Sequence, residues 1–250
     1  MSYASNAAAR APMFNPRPRI ERLAIGPRHD CFVIDDALLE PERWVEHAAA
    51  QRDRFAELDR NAYPGPELAL PEAATDQLEA FFALHLRRSL GGRRTLSRTG
   101  RLSLATRPPA LLHPWQCFCH VDRLQARRGQ LIAASVLYLF EDARLGGTGF
   151  YMPRRPPGDI ERLVQAAAEW PPERFHAETG IARGYMSESN AWFQKVLAVE
   201  PRWNRMIVYP GTVMHSGDIA APELLSDDPR RGRLTINGFF ACTRALAATA

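Results

Sequence analysis

Two histidines and an aspartate are the residues of this sequence best suited to holding a metal. His120 and Asp122 are one residue apart in Cys119-His120-Val121-Asp122, and His215 follows much later in Met214-His215-Ser216. On an extended strand, residues i and i+2 point to one face, so His120 and Asp122 can reach one ion together. A second imidazole from a distant strand completes a set of two His and one carboxylate. That set leaves three adjacent coordination positions open, a geometry suited to Fe(II), which must take a cosubstrate and O2 at once. Thiolate ligands would favour zinc or an iron–sulfur cluster instead. Cys117 and Cys119 lie beside His120, but no second Cys or His pair completes a four-ligand site.

A His-x-Asp tripeptide by itself equally describes an exposed turn or a structural His–Asp hydrogen bond. What raises it here is the segment after His215. Arg233 opens an alternating stretch, Gly232-Arg233-Leu234-Thr235-Ile236-Asn237-Gly238, and Gly232 separates it from the cations Arg230 and Arg231. An arginine on the strand after the second histidine can set its planar fork against a dicarboxylate. Thr235, two positions on, faces the same way and offers a hydroxyl to the same group.

The order His-x-Asp, distal His, then Arg on the closing strand resembles the Fe(II)/2-oxoglutarate-dependent dioxygenase superfamily, especially its prolyl-hydroxylase-like branch. Ser135 to Tyr151, SVLYLFEDARLGGTGFY, is similar to that branch too: a strand ending in Tyr-Leu, an acidic turn, Gly-Gly and a second strand. The resemblance covers roughly residues 100–242. It implies a double-stranded β-helix (a jelly roll, cupin-like) with N-terminal helices and the metal near the open mouth. It implies Fe(II) on His120, Asp122 and His215, and 2-oxoglutarate on Arg233, with Thr235 beside it and Tyr138 as a further cosubstrate contact. The implied reaction is oxygenation of an amino acid, peptide or small metabolite, coupled to decarboxylation of 2-oxoglutarate. The alternative is a jelly-roll metal-binding protein or metalloenzyme that does not use 2-oxoglutarate.

The residues that must position these groups have strand character. From about residue 100, RLSLATRPP, QLIAASVLYLF, GTGFYM, RMIVYP and RLTINGFFAC are short alternating or β-branched runs separated by turn signals, which predicts an antiparallel sandwich or jelly roll. Upstream, HDCFVIDDAL predicts a strand, a helix starts near Pro41, and residues 71–90 carry an apolar helical stripe. Residues 1–18 read as a flexible arm and 19–250 as one domain, with a helical support over 19–99 and a β core over 100–242. Residues 156–200 interrupt the strands with a Pro-rich start and a helical segment, and are expected to form an insertion that acts as a lid. His113 reads as a loop residue. Trp115 and Gln116 are candidates for the pocket mouth, and Asn61-Ala62-Tyr63-Pro64-Gly65 is an unusual turn that is either structural or edges the pocket.

Composition narrows the partners. With 46% hydrophobic and 24% charged residues, the chain can bury a sizeable core. The formal charge is +4 and Lys195 is its only lysine. The arginine pairs are scattered along the chain and form no phosphate-tracking stripe, so no nucleic-acid partner is expected. No run of about 18 apolar residues occurs, so no membrane partner is expected either. Four unpaired cysteines without secretory context point to a reducing, cytoplasmic location. The expected partner is a small-molecule or peptide substrate.

Overall fold

The computed structural model describes residues 11–57, 61–122 and 129–245. Ten strands and four helices follow in the order β1 (Ile20–Ile25), β2 (His29–Ile34), α1 (Pro41–Ala50), β3 (Glu67–Ala69), α2 (Glu72–His85), β4 (Gly92–Ala105), β5 (Gln130–Tyr138), β6 (Gly147–Pro153), α3 (Pro157–Glu169), α4 (Pro172–Thr179), β7 (Phe193–Val199), β8 (Met206–Pro210), β9 (Met214–Asp218) and β10 (Arg233–Arg244). A seven-stranded sheet runs β1-β2-β8-β5-β10-β4-β3, and a three-stranded sheet runs β7-β6-β9. All strand pairs are antiparallel.

From β4 onward the chain alternates between the sheets. After β4 in the large sheet, His120 bridges to His215 in the small one. β5 returns to the large sheet, β6 and β7 lie in the small one, and β8, β9 and β10 alternate large, small, large. This is the jelly-roll winding expected from the short strands. Its two sheets enclose Ala134, Tyr138, Phe150, Val199, Ile207 and Tyr209.

The outer face of the large sheet is covered by α1 and α2. Pro41 opens α1, where a missing amide proton costs nothing. On α2, Ala74, Leu78, Phe81 and Phe82 form the buried stripe, and Phe82 stacks on Phe240 of β10 at 4.1 Å. Part of the stretch expected as a flexible arm over residues 1–18 is packed against the fold. Residues 1–10 lie outside the described residues, while Met13 and Phe14 are buried. Phe14 stacks on Phe81 at 4.7 Å and its backbone bridges Leu38. Two large apolar side chains placed against an uncovered helix end are worth more buried than the loss of chain freedom they cost.

The insertion also departs from expectation. Residues 193–199 are a strand of the small sheet, paired with β6. α3 and α4 pack Ile160, Leu163, Ala167 and Phe175 on Phe118, Tyr151 and Phe193. The Tyr151 hydroxyl donates to the Met186 carbonyl at 3.0 Å, and Trp192 Nε1 donates to Thr179 at 2.8 Å. The segment is a second apolar layer over the small sheet. The helical period of IERLVQAAAEW was legible, whereas the strand FQKVLAV, half-exposed at a sheet edge, lacks clean alternation.

Candidate metal centre and cavity

His120 sits on a single antiparallel bridge, not within a longer strand. Its amide donates to the His215 carbonyl and the His215 amide donates back to His120, each at 2.9 Å. Asp122 extends the pairing, its amide donating to Gly211 at 2.8 Å. A Cβ on Gly211 would stand 2.8 Å from Asp122 Oδ2 and 2.9 Å from Ile132, so this close passage requires glycine.

The result is a cluster in which one ligand atom each from His120, Asp122 and His215 lies within 4.8 Å of the others. The imidazole centroids are 4.5 Å apart, and His215 Nε2 stands 3.7 Å from Asp122 Oδ2. That separation is too long for a hydrogen bond and short enough for two ligands of one ion. His215 Nδ1 lies 2.9 Å from the Val213 carbonyl. A carbonyl only accepts, so Nδ1 carries the proton and the Nε2 lone pair is presented to the cluster.

Burial, and then the neighbouring His215, hold the His120 pKa well below its ordinary value. That imidazole stays neutral, as ligation requires. Burial raises the Asp122 pKa, against the opposing effects of His215 and Arg101, and Asp122 Oδ2 is buried with no hydrogen-bond partner. A desolvated carboxylate oxygen beside the neutral His120 imidazole is destabilised unless a cation joins it. The donor set fits a divalent transition metal such as Fe(II).

The cluster opens on a cavity of about 610 Å³ between the sheets. Arg233 lines the same cavity and is only 3% exposed. Its Nε donates to the Gly146 carbonyl at 3.0 Å and its Nη2 to Gly147 at 2.8 Å. Among the described residues it pairs with no carboxylate. Nε and Nη2 share one edge of the guanidinium, so the Nη1 end remains for a ligand. The carbonyls that hold this edge are exposed by a tight turn. Gly146 has φ +84°, and a Cβ there would meet the Asp218 carbonyl at 2.2 Å.

Thr235 and Tyr138, the other expected cosubstrate contacts, do not line the cavity. Thr235 is fully buried, with Oγ1 3.4 Å from the Ser103 carbonyl. The Tyr138 hydroxyl shares a hydrogen bond of 2.8 Å with Thr148 Oγ1. Thr148 is the one of that pair on the cavity wall, with Tyr138 behind it.

Tyr63 was missed as a site residue. Its hydroxyl is buried near Arg233 and Thr235 without an aligned hydrogen bond, and Tyr63 lines the cavity. The turn that carries it is held by Trp115 and Gln116, whose Nε1 and Nε2 donate to the Asn61 carbonyl at 3.2 and 3.1 Å. The Asn-Ala-Tyr-Pro-Gly turn was a visible signal, but nothing in a turn's sequence tells which cavity it edges. His113 stacks on Trp115 at 4.4 Å and does not line the cavity.

Among the described residues, no helix is long and apolar enough to cross a membrane, and all four cysteines are free and buried. No curated protein matches the sequence. Among solved structures, the chain is similar to the non-heme alpha ketoglutarate dependent carbocyclase SnoK of nogalamycin biosynthesis, at 12% identity over 88% of this chain and 83% of that one, with a TM-score of 0.46. It is similar to the epimerase SnoN of the same biosynthesis, at 11% identity over 88% and 86%, with a TM-score of 0.44. A third is an N-substituted L-amino acid dioxygenase from Burkholderia ambifaria AMMD, at 12% identity over 84% and 80%, with a TM-score of 0.36. The model of one sequence family, DUF6445, a family of unknown function, matches residues 16–240, and the chain belongs to that family.

Proposed function

We propose that this protein is an Fe(II)- and 2-oxoglutarate-dependent oxygenase acting on a small molecule or peptide. The observation that carries the reading is the meeting, in one cavity, of a His120–Asp122–His215 cluster and a buried Arg233 with no carboxylate partner among the described residues. A metal protein that did not use 2-oxoglutarate would have no need of the second feature, because a buried, uncompensated cation is costly.

In this reading His120, Asp122 and His215 hold the iron. When bound, the iron supplies the redox chemistry that couples decarboxylation of 2-oxoglutarate to oxidation of the substrate. Arg233 binds the distal carboxylate through its Nη1 end, already aimed by the Gly146 and Gly147 carbonyls. The Tyr63 hydroxyl donates to the same carboxylate, and Tyr138 turns Thr148 towards the cosubstrate. Phe118, Val164 and Met214 line the cavity and keep water from the reacting groups.

The test is an anaerobic titration of the Fe(II)-loaded protein with 2-oxoglutarate. A visible charge-transfer band should grow to saturation at one equivalent. If iron binds stoichiometrically and no band develops, the cosubstrate is wrong while the metal site stands.

A further inference from the structure

Arg101 is a second cation in the same cavity, and its surroundings differ from those of Arg233. It lies on β4, where its backbone pairs with Asn237 of β10. Its Nη1 donates to Glu67 Oε2 at 2.8 Å, and its guanidinium lies over the Phe239 ring at 5.4 Å. Nε and Nη2, the edge that grips a carboxylate with two parallel bonds, have no partner among the described residues. Glu67 is itself anchored by Asn61 Nδ2 and Ser103 Oγ, each at 2.8 Å. The guanidinium is therefore held in place with its fork free.

The neighbouring Asn237 presents an acceptor. Ser103 Oγ has one proton and gives it to Glu67 Oε1, so towards Asn237 it can only accept. This fixes the amide orientation, with Nδ2 donating to Ser103 at 2.8 Å and Oδ1 on the other side. Asn237 lines the cavity at 5% exposure, and its Oδ1 is buried with no partner. An orphaned acceptor there is stabilised by an arriving N–H or O–H. 2-Oxoglutarate, ionised at neutral pH, has neither.

We propose that Arg101 and Asn237 form the recognition site for the primary substrate, and that this substrate is a carboxylate with an N–H or O–H donor on the adjacent carbon and an apolar body. The fork of Arg101 takes the carboxylate, Asn237 Oδ1 accepts from the neighbouring donor, and Trp115, Phe118 and Met214 line the cavity for the apolar part. The proposal rests on the oxygenase reading above.

Three probes separate its parts: N-acetyl-L-phenylalanine, its amide N-acetyl-L-phenylalaninamide, and 3-phenylpropanoate, which keeps the carboxylate and lacks the donor. Each is titrated calorimetrically into the anaerobic Fe(II) protein saturated with 2-oxoglutarate. The wild type should bind the acid at least about tenfold more tightly than the amide, the scale of one charged hydrogen bond. Arg101→Gln, which removes the guanidinium fork, should erase that preference, and Arg101→Lys should restore part of it. Asn237→Ala should shrink the margin of N-acetyl-L-phenylalanine over 3-phenylpropanoate. No acid-over-amide preference in the wild type, or one that survives Arg101→Gln, overturns the proposal. So does a 2-oxoglutarate affinity that falls tenfold in Arg101→Gln, since Arg101 would then serve the cosubstrate. A wild type that fails to bind 2-oxoglutarate at all removes the oxygenase reading and this proposal with it.

Discussion

Replacing His215 by alanine should strip the protein of its metal while leaving it folded. His215 contributes an Nε2 whose direction is set by the Nδ1 bond to Val213, and losing it leaves two ligands that cannot enclose an ion. Loss of a residue that merely supports a ligand typically costs 10- to 100-fold in affinity; removal of the ligand itself should exceed about 100-fold. The fold should survive because the bonds between residues 120 and 215 are made by backbone atoms that alanine also carries. Elemental analysis after desalting, with circular dichroism as the folding control, decides the matter. Stoichiometric iron in a folded His215→Ala protein would refute the assignment.

Arg233→Lys should lower 2-oxoglutarate affinity by about 1.5 to 3 kcal/mol, roughly ten- to hundredfold, the value of one hydrogen bond to a charged group. The charge survives, but an ammonium cannot hold two carbonyls along one edge and present a planar end to the ligand. Iron binding should be unchanged, since the three ligands are untouched. The charge-transfer titration reads the first effect and metal analysis the second. Equal cosubstrate affinity in the variant would show that Arg233 faces the cavity without binding 2-oxoglutarate.

The parts of this molecule that were legible in the sequence are those governed by local rules. Alternation marked β4 and β10, apolar or β-branched runs and a Gly-Gly turn marked β5, β6 and β8, Pro41 marked the start of α1, and i/i+2 spacing brought His120 and Asp122 together. The strand rule was sound for His120 even though only one bridge forms there, since extended backbone is all that the spacing requires. Thr235 shows the limit of the same rule. It shares the cavity side of β10, yet it is fully buried and the cavity touches Arg233 and Asn237 on either side of it. The same alternation reaches Asn237 and Phe239, so Asn237 was within reach of the argument. Tyr63 and Glu67 were not, because they arrive from a turn and a three-residue strand whose docking depends on Trp115, Gln116 and Ser103. β3 is too short for any periodicity to register.

His120 and His215 face each other across a single rung, and an ion between them would clasp two stretches of chain that are far apart in sequence. An ion that binds only the docked arrangement shifts the folding equilibrium by RT ln(1 + [M]/Kd), about 1.4 kcal/mol for each tenfold rise in free metal above Kd. The melting temperature of this protein then becomes a gauge of available iron. In an iron-poor cell the same chain would be idle and also short-lived, because the fraction that opens transiently is what proteases clear.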